Sequence, residues 1–181
     1  SFAVRPENGI IADSNPELVN LYRSVATDVN GVIDQLRSYE NTEEVFYSVR
    51  SLDRAKLSNI EAAARTIFLN RTCFNGLYMV NKSAQFNVPF GRYKNPKIID
   101  EDALRAASLL LNRTTIICGD YKTVLKENAQ AGDFIFLFQI KQATFQTQKR
   151  GSQHQRKHPR RTAEPEIHQC LQTIGFFLKS I

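Results

Sequence analysis

The side chains best suited to contact nucleic acid lie in residues 66–97. This segment is dense in Asn, Arg, Lys and aromatic residues. Asn and Arg can form paired hydrogen bonds with base edges, and Phe74 and Phe90 can stack on bases or wedge between them. Three basic residues of the segment can hold phosphates, namely Lys82, Arg92 and Lys94. The residue types therefore favour a nucleic-acid-reading loop, while a polar surface loop with core aromatics stays open as the alternative.

The positive charge of the chain is concentrated in its last quarter. Residues 138–181 hold 8 Lys+Arg and 2 Asp+Glu, whereas residues 1–137 hold 16 of each sign. The excess basicity is therefore no evidence about the first 137 residues. Residues 142–165 are polar, basic and without a core-forming pattern, which predicts disorder. This basic tail is either a nucleic-acid-binding segment or not a selected protein sequence.

The first 137 residues predict alternating helices and strands. A short apolar run, Ile10 to Ala12, ends in Asp13 as a buried parallel strand would. Apolar residues at helical spacing then predict a single helix over about 16–38, capped by Asn15. The pattern Ser58 to Glu61 predicts a capping box opening a second helix. Further elements are expected as a helix at 101–111 and buried strands at 114–118 and 134–137.

Composition also bears on compartment, membranes and metals. No apolar run approaches the roughly 20 residues that span a bilayer. The three cysteines, Cys73, Cys118 and Cys170, are odd in number and lack metal-ligand spacing. They are expected to be free thiols in a reducing cytoplasm, and neither a metal site nor a membrane segment is expected.

Several motifs, in the order and spacing found here over about residues 8–137, resemble the Dam-like class of DNA adenine methyltransferases. These enzymes transfer a methyl group from S-adenosylmethionine to the N6 amino group of adenine in duplex DNA, and the resemblance implies GATC as the site. The motifs are Ala12-Asp13-Ser14-Asn15, Leu69-Asn70-Arg71, Phe74-Asn75-Gly76-Leu77, Phe86-Asn87-Val88-Pro89-Phe90-Gly91-Arg92-Tyr93, Cys118-Gly119-Asp120-Tyr121 and Gly132-Asp133-Phe134-Ile135-Phe136-Leu137.

The resemblance implies a fold class and a division of the chain. The fold would be α/β, an incomplete Rossmann-like methyltransferase with a helical and hairpin insertion that recognises the DNA target. Residues 1–39 and 101–137 would form the partial methyltransferase core, and residues 40–100 the insertion. Residues 138–181 would be an aberrant basic tail and are expected to be disordered.

The resemblance also implies roles for individual residues. Asp13 would hold the ribose hydroxyls of the cofactor, as a carboxylate at a strand end can, and Asp120 and Tyr121 would border its adenine. Phe74 would intercalate beside the flipped target base. The remaining DNA contacts would come from Asn70, Arg71, Asn75, Asn81, Pro89, Arg92 and Lys94. Plainer alternatives stay open: a helix-capping Asp, a simple turn, a core Phe, turn-stabilising Asn and a solvated Arg.

One position departs from the family pattern in the DNA-reading segment. Many family members carry Arg after Gly-Leu-Tyr, whereas this chain carries Met79. A bidentate Arg–guanine pair contributes roughly 1–3 kcal/mol of discrimination, and Met offers only apolar contact. The resemblance therefore implies altered reading of one guanine.

The catalytic motif of the family is missing. The resemblance implies Asp-Pro-Pro-Tyr after Leu137, where it would accept hydrogen bonds from the adenine amino group and stack on the flipped base. This chain has Phe138-Gln139-Ile140-Lys141 instead, so no catalytic residue is assigned and no methyl transfer is expected. A Phe-x-Gly-x-Gly cofactor loop is also absent from Ser1 to Pro6, which implies an incomplete S-adenosylmethionine site.

The break in similarity coincides with the change in composition after Leu137. A reading-frame shift near codon 138 explains both, and a functional replacement tail is the competing hypothesis. Two other classes of function stay open. One is a non-catalytic DNA-binding module using residues 66–97 and the basic tail, and the other is an α/β fragment that binds nothing. Neither the oligomeric state nor a link to restriction follows from the residues.

Overall fold

The computed structural model describes residues 9–81, 83–139 and 173–178 and shows a mixed helix–strand fold. Its strands are β1 (Gly9–Asp13), β2 (Thr114–Cys118), β3 (Phe134–Gln139) and β4 (Thr173–Leu178). Its helices are α1 (Pro16–Thr27), α2 (Val29–Arg37), α3 (Glu43–Ser51), α4 (Asn59–Thr72), α5 (Glu101–Leu111) and α6 (Tyr121–Asn128). Within these residues no helix is both long and apolar enough to span a bilayer.

The four strands form one sheet in the order β2-β1-β4-β3. β1 and β2 are parallel, with Gly9 opposite Thr114 and Asp13 opposite Cys118. β4 runs antiparallel to both β1 and β3. As a result β1, β2 and β3 point in the same direction, and their carboxyl ends share one edge of the sheet.

The helix predicted over 16–38 is wrong as a single element, because α1 and α2 are separated at Asp28. That residue has φ −147° and its carboxylate accepts a hydrogen bond from the Gly31 amide at 2.9 Å. A side-chain cap of this kind competes with continuation of the helix. Apolar periodicity runs through the break, which is why the sequence pattern conceals it.

The other predicted elements are present with nearly the predicted bounds. The predicted burial of β2 is wrong, however, because none of its residues is buried and Thr115 and Cys118 are exposed. The capping box is confirmed, since Ser58 accepts from the Glu61 amide and Glu61 accepts from the Ser58 amide. The short helices α3 and α6 were not predicted. Both are capped by side chains, from Thr42 and Asp120 respectively.

The main apolar core joins four helices and the segment that follows α4. Val32 and Leu36 of α2 pack with Phe46 of α3 and Phe68 of α4, all of them fully buried. The same cluster includes Phe86. The predicted domain boundaries near residues 40 and 100 stay a prediction.

The sheet is covered much less completely than the helical core. A small cluster joins Ile10 and Ala12 of β1 to Val124 of α6. In contrast, Phe134 of β3 is 60% exposed and Phe136 is 49% exposed. The predicted burial of β3 is therefore wrong among the described residues, because the described helices gather around α4 or over β1 and β2.

The basic tail is described only at its two ends. The disorder predicted for 142–165 lies outside the described residues. Residues 138–139 extend β3 and residues 173–178 form β4, so at these positions the structure differs from the predicted unstructured tail. β4 occupies the place between β1 and β3.

Candidate functional site

A buried carboxylate stands at the carboxyl edge of the sheet. Asp13, the last residue of β1, is only 1% exposed. Its Oδ1 accepts a hydrogen bond from the Asn15 amide at 2.7 Å, and its Oδ2 is buried without a partner among the described residues. Burial raises the pKa of Asp13, and the Asn15 hydrogen bond opposes that rise. An unpaired buried acceptor is costly, so Oδ2 is suited to accept a hydrogen bond from a ligand.

Tyr22 of α1 belongs to the electrostatic surroundings of Asp13. Burial and the negative charge of Asp13 raise the pKa of Tyr22 to about 12. The phenol therefore stays neutral at physiological pH. Sequence patterning placed Tyr22 only on the apolar face of a helix, because spacing along the helix does not report which charged group lies near it.

The two other predicted cofactor residues lie at the same edge of the sheet. The Gly119 amide donates to the Asp13 carbonyl at 3.0 Å, which brings the turn after β2 beside the end of β1. Asp120 is exposed and its Oδ1 accepts from the Lys122 amide at 2.9 Å. Asp120 thus caps α6, and Tyr121 is the first residue of that helix.

Phe74 lies on the surface rather than in the core. It follows the end of α4 and is 51% exposed. Its amide donates to the Pro89 carbonyl at 2.9 Å, and the Gly91 amide donates to the Thr72 carbonyl at 2.8 Å. These backbone bonds hold the two motif-bearing loops, 73–77 and 89–93, against each other. The alternative of a core Phe does not fit this exposure.

The loop carrying Phe74 has a tightly specified backbone. Asn75 and Gly76 have positive φ angles of 54° and 60°, a conformation that Asn and Gly tolerate best. The Asn75 amide donates to the Tyr93 hydroxyl at 3.0 Å, and the Asn70 side chain donates to the Gly76 carbonyl at 2.7 Å. Asn70 therefore shapes the loop through its Nδ2.

Asn81 also holds its own backbone. Its Oδ1 accepts from the amides of Ser83 and Gln85 at 2.9 and 3.0 Å, and its Nδ2 donates to the Gln85 side chain. An isolated antiparallel bridge between Val80 and Phe86 closes this hairpin. The turn-stabilising alternative raised for Asn81 fits these contacts.

The basic residues beside Phe74 are accessible to a ligand. Arg71, Lys94 and Pro89 are exposed. Arg92 has φ 55° and its guanidinium lies 3.6 Å from the Glu43 carboxylate, with the Arg92 side chain 76% exposed. An exposed ion pair of this kind is weak in water, so Arg92 can exchange Glu43 for another anion. Lys82 lies outside the described residues.

Met79 offers no polar group to a base. The residue is half-buried and packs against the main apolar core. Its carbonyl accepts from the Asn87 amide at 3.1 Å. At the position where many family members carry Arg, this chain therefore has a side chain that packs against the core.

A groove of about 1370 Å³ is lined by the turn after β1 and by the hairpin at 78–87. Ser14 and Asn15 line it on one side, and Asn81 and Gln85 on the other. Sequence patterning did not identify this groove, because its walls come from segments more than sixty residues apart. No cluster of three potential metal ligands occurs in the part of the chain that the structure describes.

Comparison with known proteins defines the class to which this fold and site belong. Residues 1–137 match the family described as D12 class N6 adenine-specific DNA methyltransferase. Because the match covers well over half of the chain, the chain belongs to this family, as the motif resemblance implied.

Individual relatives agree with the family match. The chain is 42% identical over 143 residues to the type II methyltransferase M1.LlaDCHI of Lactococcus lactis subsp. cremoris, covering 75% of this chain and 50% of that protein. It is 40% identical over 139 residues to the type II methyltransferase M.MjaIII of Methanocaldococcus jannaschii, covering 70% and 48%. It is 34% identical over 121 residues to the DNA adenine methylase of Haemophilus influenzae, covering 64% and 42%. The chain thus matches these relatives over about half of their length.

Proposed function

We propose that this chain carries the cofactor-ribose and DNA-reading parts of an adenine-N6 methyltransferase that uses S-adenosylmethionine and acts on GATC in duplex DNA. The unpaired Oδ2 of Asp13 carries the proposal. It is a buried acceptor at the shared carboxyl edge of parallel strands, where ligands bind in open α/β sheets. We further propose that the chain works in a reducing cytoplasm, where Cys73 and Cys118 stay free thiols.

The residues at the sheet edge fit a nucleoside. Asp13 would accept hydrogen bonds from ribose hydroxyls, and its burial would make those bonds strong. Asp120 and Tyr121, on the turn after β2, would flank the adenine. S-adenosylmethionine would supply the activated methyl group. The chain's own residues would bind and orient it.

The exposed loops beside the end of α4 would engage DNA. Phe74 would stack beside the target base, since an aromatic ring can fill the space of a flipped nucleotide. Arg71, Arg92 and Lys94 would hold phosphates. Asn70 and Asn81 would act by shaping the loops, and Asn75 and Pro89 would lie at the DNA surface.

We propose that the polypeptide by itself transfers no methyl group. Residues 138–141 lack the carboxylate and the tyrosine needed to hold the adenine amino group in line with the methyl donor. Binding and chemistry would then be separable in this chain. A frame shift near codon 138 would account for the change.

The cofactor half of the proposal is tested by calorimetry with S-adenosylhomocysteine. The wild-type chain should bind, and Asp13→Asn should weaken binding by about tenfold or more, because hydrogen bonds to a charged group contribute roughly 1.5–3 kcal/mol. Ser14→Ala, an exposed neighbour, is the matched control and should bind as the wild type does. Equal affinity of Asp13→Asn and wild type would remove Asp13 from the site.

The DNA half is tested by fluorescence anisotropy with duplexes containing GATC or a permuted site. Preference for GATC is expected, with reduced discrimination at one guanine because of Met79. The substitution Met79→Arg should then restore discrimination at that base by roughly 1–3 kcal/mol. Equal binding of all duplexes by both proteins would contradict sequence reading by this segment.

A second candidate function is a non-catalytic DNA-binding module. It is favoured by the exposure of Phe74, Arg71 and Lys94 together with the missing catalytic motif. It predicts duplex binding with a steep salt dependence and no effect of S-adenosylhomocysteine. Replacing the Lys and Arg residues of 142–165 by Gln, which keeps the residues of β4, should flatten the salt slope if the basic tail contributes.

A further inference from the structure

A chain of hydrogen bonds runs from Asp13 to the hairpin at 78–87. Asp13 Oδ1 accepts from the Asn15 amide at 2.7 Å. The Asn15 side-chain Nδ2 donates to the Tyr78 hydroxyl at 3.4 Å. The Tyr78 hydroxyl in turn donates to the Glu17 carboxylate at 2.5 Å. Asp13 and Tyr78 are 65 positions apart in the sequence, so the fold rather than local geometry brings them together.

Glu17 is held in place from several sides. Arg54 lies 3.3 Å from its carboxylate, with the Glu17 side chain only 13% exposed, and Arg54 also donates to the Pro16 carbonyl. Burial lowers the pKa of Arg65, and the negative charge of Glu17 opposes this by favouring the charged form of Arg65. A carboxylate with this many partners has little freedom to move, so it is a firm anchor for Tyr78.

Tyr78 connects Glu17 to the hairpin at 78–87. Its ring contacts the ring of Phe86 across the hairpin, with centroids 5.7 Å apart. The next residue, Met79, accepts from the Asn87 amide at 3.1 Å. Movement of Tyr78 would therefore carry both strands of the hairpin with it.

We propose that Tyr78 is a positioning residue that fixes the hairpin to the turn holding Asp13, so that nucleoside binding and duplex binding assist each other. The consequence for binding rests on the proposed function, whereas the linkage itself does not. Filling Oδ2 of Asp13 with ribose hydroxyls would order the turn from Asp13 to Glu17. The ordered turn would then hold the hairpin in the position that a duplex requires.

The linkage is tested in the ligand-free chain by hydrogen exchange. Tyr78→Phe keeps the ring and removes the hydrogen bonds of the hydroxyl to Asn15 and Glu17. Exchange at the amides of Glu17 and Asn87 should rise on the order of tenfold, while amides in the middle of α4 stay unchanged. Tyr47→Phe, at an exposed tyrosine on α3, is the matched control. Unchanged exchange in Tyr78→Phe would overturn the proposal.

The coupling is tested by measuring GATC-duplex affinity with and without saturating S-adenosylhomocysteine. In the wild type the nucleoside should tighten duplex binding by about five-fold or more, and in Tyr78→Phe the ratio should fall to about one. A purely structural role would weaken both affinities without changing their ratio. Glu17→Gln, which keeps an acceptor oxygen, should retain part of the coupling. An unchanged ratio in Tyr78→Phe would overturn the proposal.

The two experiments separate the linkage from the proposed function. If the wild type binds neither probe while exchange responds to Tyr78→Phe, the proposed function fails and the linkage stands. If both probes bind the wild type without coupling, the proposed function stands and the positioning role fails.

Discussion

Asp13 carries an electrostatic cost in the ligand-free protein. Burial disfavours its ionised form, and in the described part of the chain only one of its oxygens has a partner. Such a residue is poorly suited to stabilise the fold and well suited to bind a ligand. Stability and binding should therefore respond to changes at Asp13 in opposite directions.

The stability of the ligand-free chain should reflect the raised pKa of Asp13. A folded-state pKa above the unfolded value means that the folded state binds more protons. The contribution of this group is therefore fully present below the unfolded pKa and is lost as pH rises through the folded pKa. Asp13→Asn should remove this decline, so the variant gains stability relative to wild type as pH rises above the ordinary Asp pKa of 3.8. Urea unfolding at each pH measures the free energy of unfolding of both proteins. If this free energy depends on pH in the same way in wild type and Asp13→Asn, the burial of an unpaired charge at Asp13 is contradicted.

A substitution at Phe74 can separate an effect on DNA binding from an effect on folding. Phe74→Ala should leave the melting temperature nearly unchanged because half of the side chain is already exposed. Duplex affinity should fall by roughly 1–3 kcal/mol, the contribution of one base–aromatic stack. Leu109→Ala, at an apolar side chain on α5 that is 71% exposed, is the control and should leave duplex affinity unchanged. Equal effects of the two substitutions would show that Phe74 makes no specific contact.

At the level of elements, strong local signals made prediction possible. The capping box at Ser58 and Glu61 and the short apolar runs of β1 and β2 identified their elements from neighbouring residues alone. The break at Asp28 was hidden because the apolar period continues across it. The sequence does not predict α6, because an Asp such as Asp120 fits a cofactor contact or a turn as well as a helix cap.

The candidate site was predictable only in part for a similar reason. Asp13 and Phe74 stand in recognisable motifs, and the structure places them at a sheet edge and on the surface. The contacts of Tyr22 and Tyr78 depend on distant segments meeting in space. No periodicity or spacing in the sequence reports such contacts, so these two residues can be identified only from the folded structure.

The conformation of loops 73–77 and 89–93, which the proposed function assigns to DNA binding, should depend on Gly91. A Cβ at this position would lie 2.6 Å from the Cys73 carbonyl oxygen, and that backbone atom has little room to yield. Gly91→Ala should therefore displace the loop carrying Arg92 and weaken duplex binding. Gly119→Ala, where a Cβ would meet its nearest atom at 3.5 Å, is the matched control and should be tolerated. Duplex affinity and melting temperature of both variants test this, and an unaffected Gly91→Ala would contradict close apposition of the loops.

At the scale of the whole molecule, the helical core and the sheet differ in how they are supported. The core around α4 joins α1 to α4 and the hairpin, with α5 packed against it, whereas β3 is exposed and, among the described strands, is joined to β1 through β4. Loss of β4 would leave two strand edges unpaired. The sheet is therefore expected to be the less stable part of the protein.

A proline in β4 tests that dependence. Residue 175 pairs with Ala12 on one side and Leu137 on the other. Gly175→Pro would remove a backbone donor from a strand with neighbours on both sides, so hydrogen exchange in β1 and β3 should rise while α4 stays protected. Unchanged protection in β1 would contradict the position of β4 between the two strands.

Methyl transfer from radiolabelled S-adenosylmethionine to a GATC duplex is the most direct test of a chain that binds but does not catalyse. The assay is made at protein concentrations where anisotropy shows the duplex bound, with an active adenine methylase as the positive control. We predict bound duplex and no label in N6-methyladenine, because the carboxylate that would orient the adenine amino group is missing after Leu137. Label incorporated into adenine by the purified chain would contradict the proposed separation of binding from chemistry.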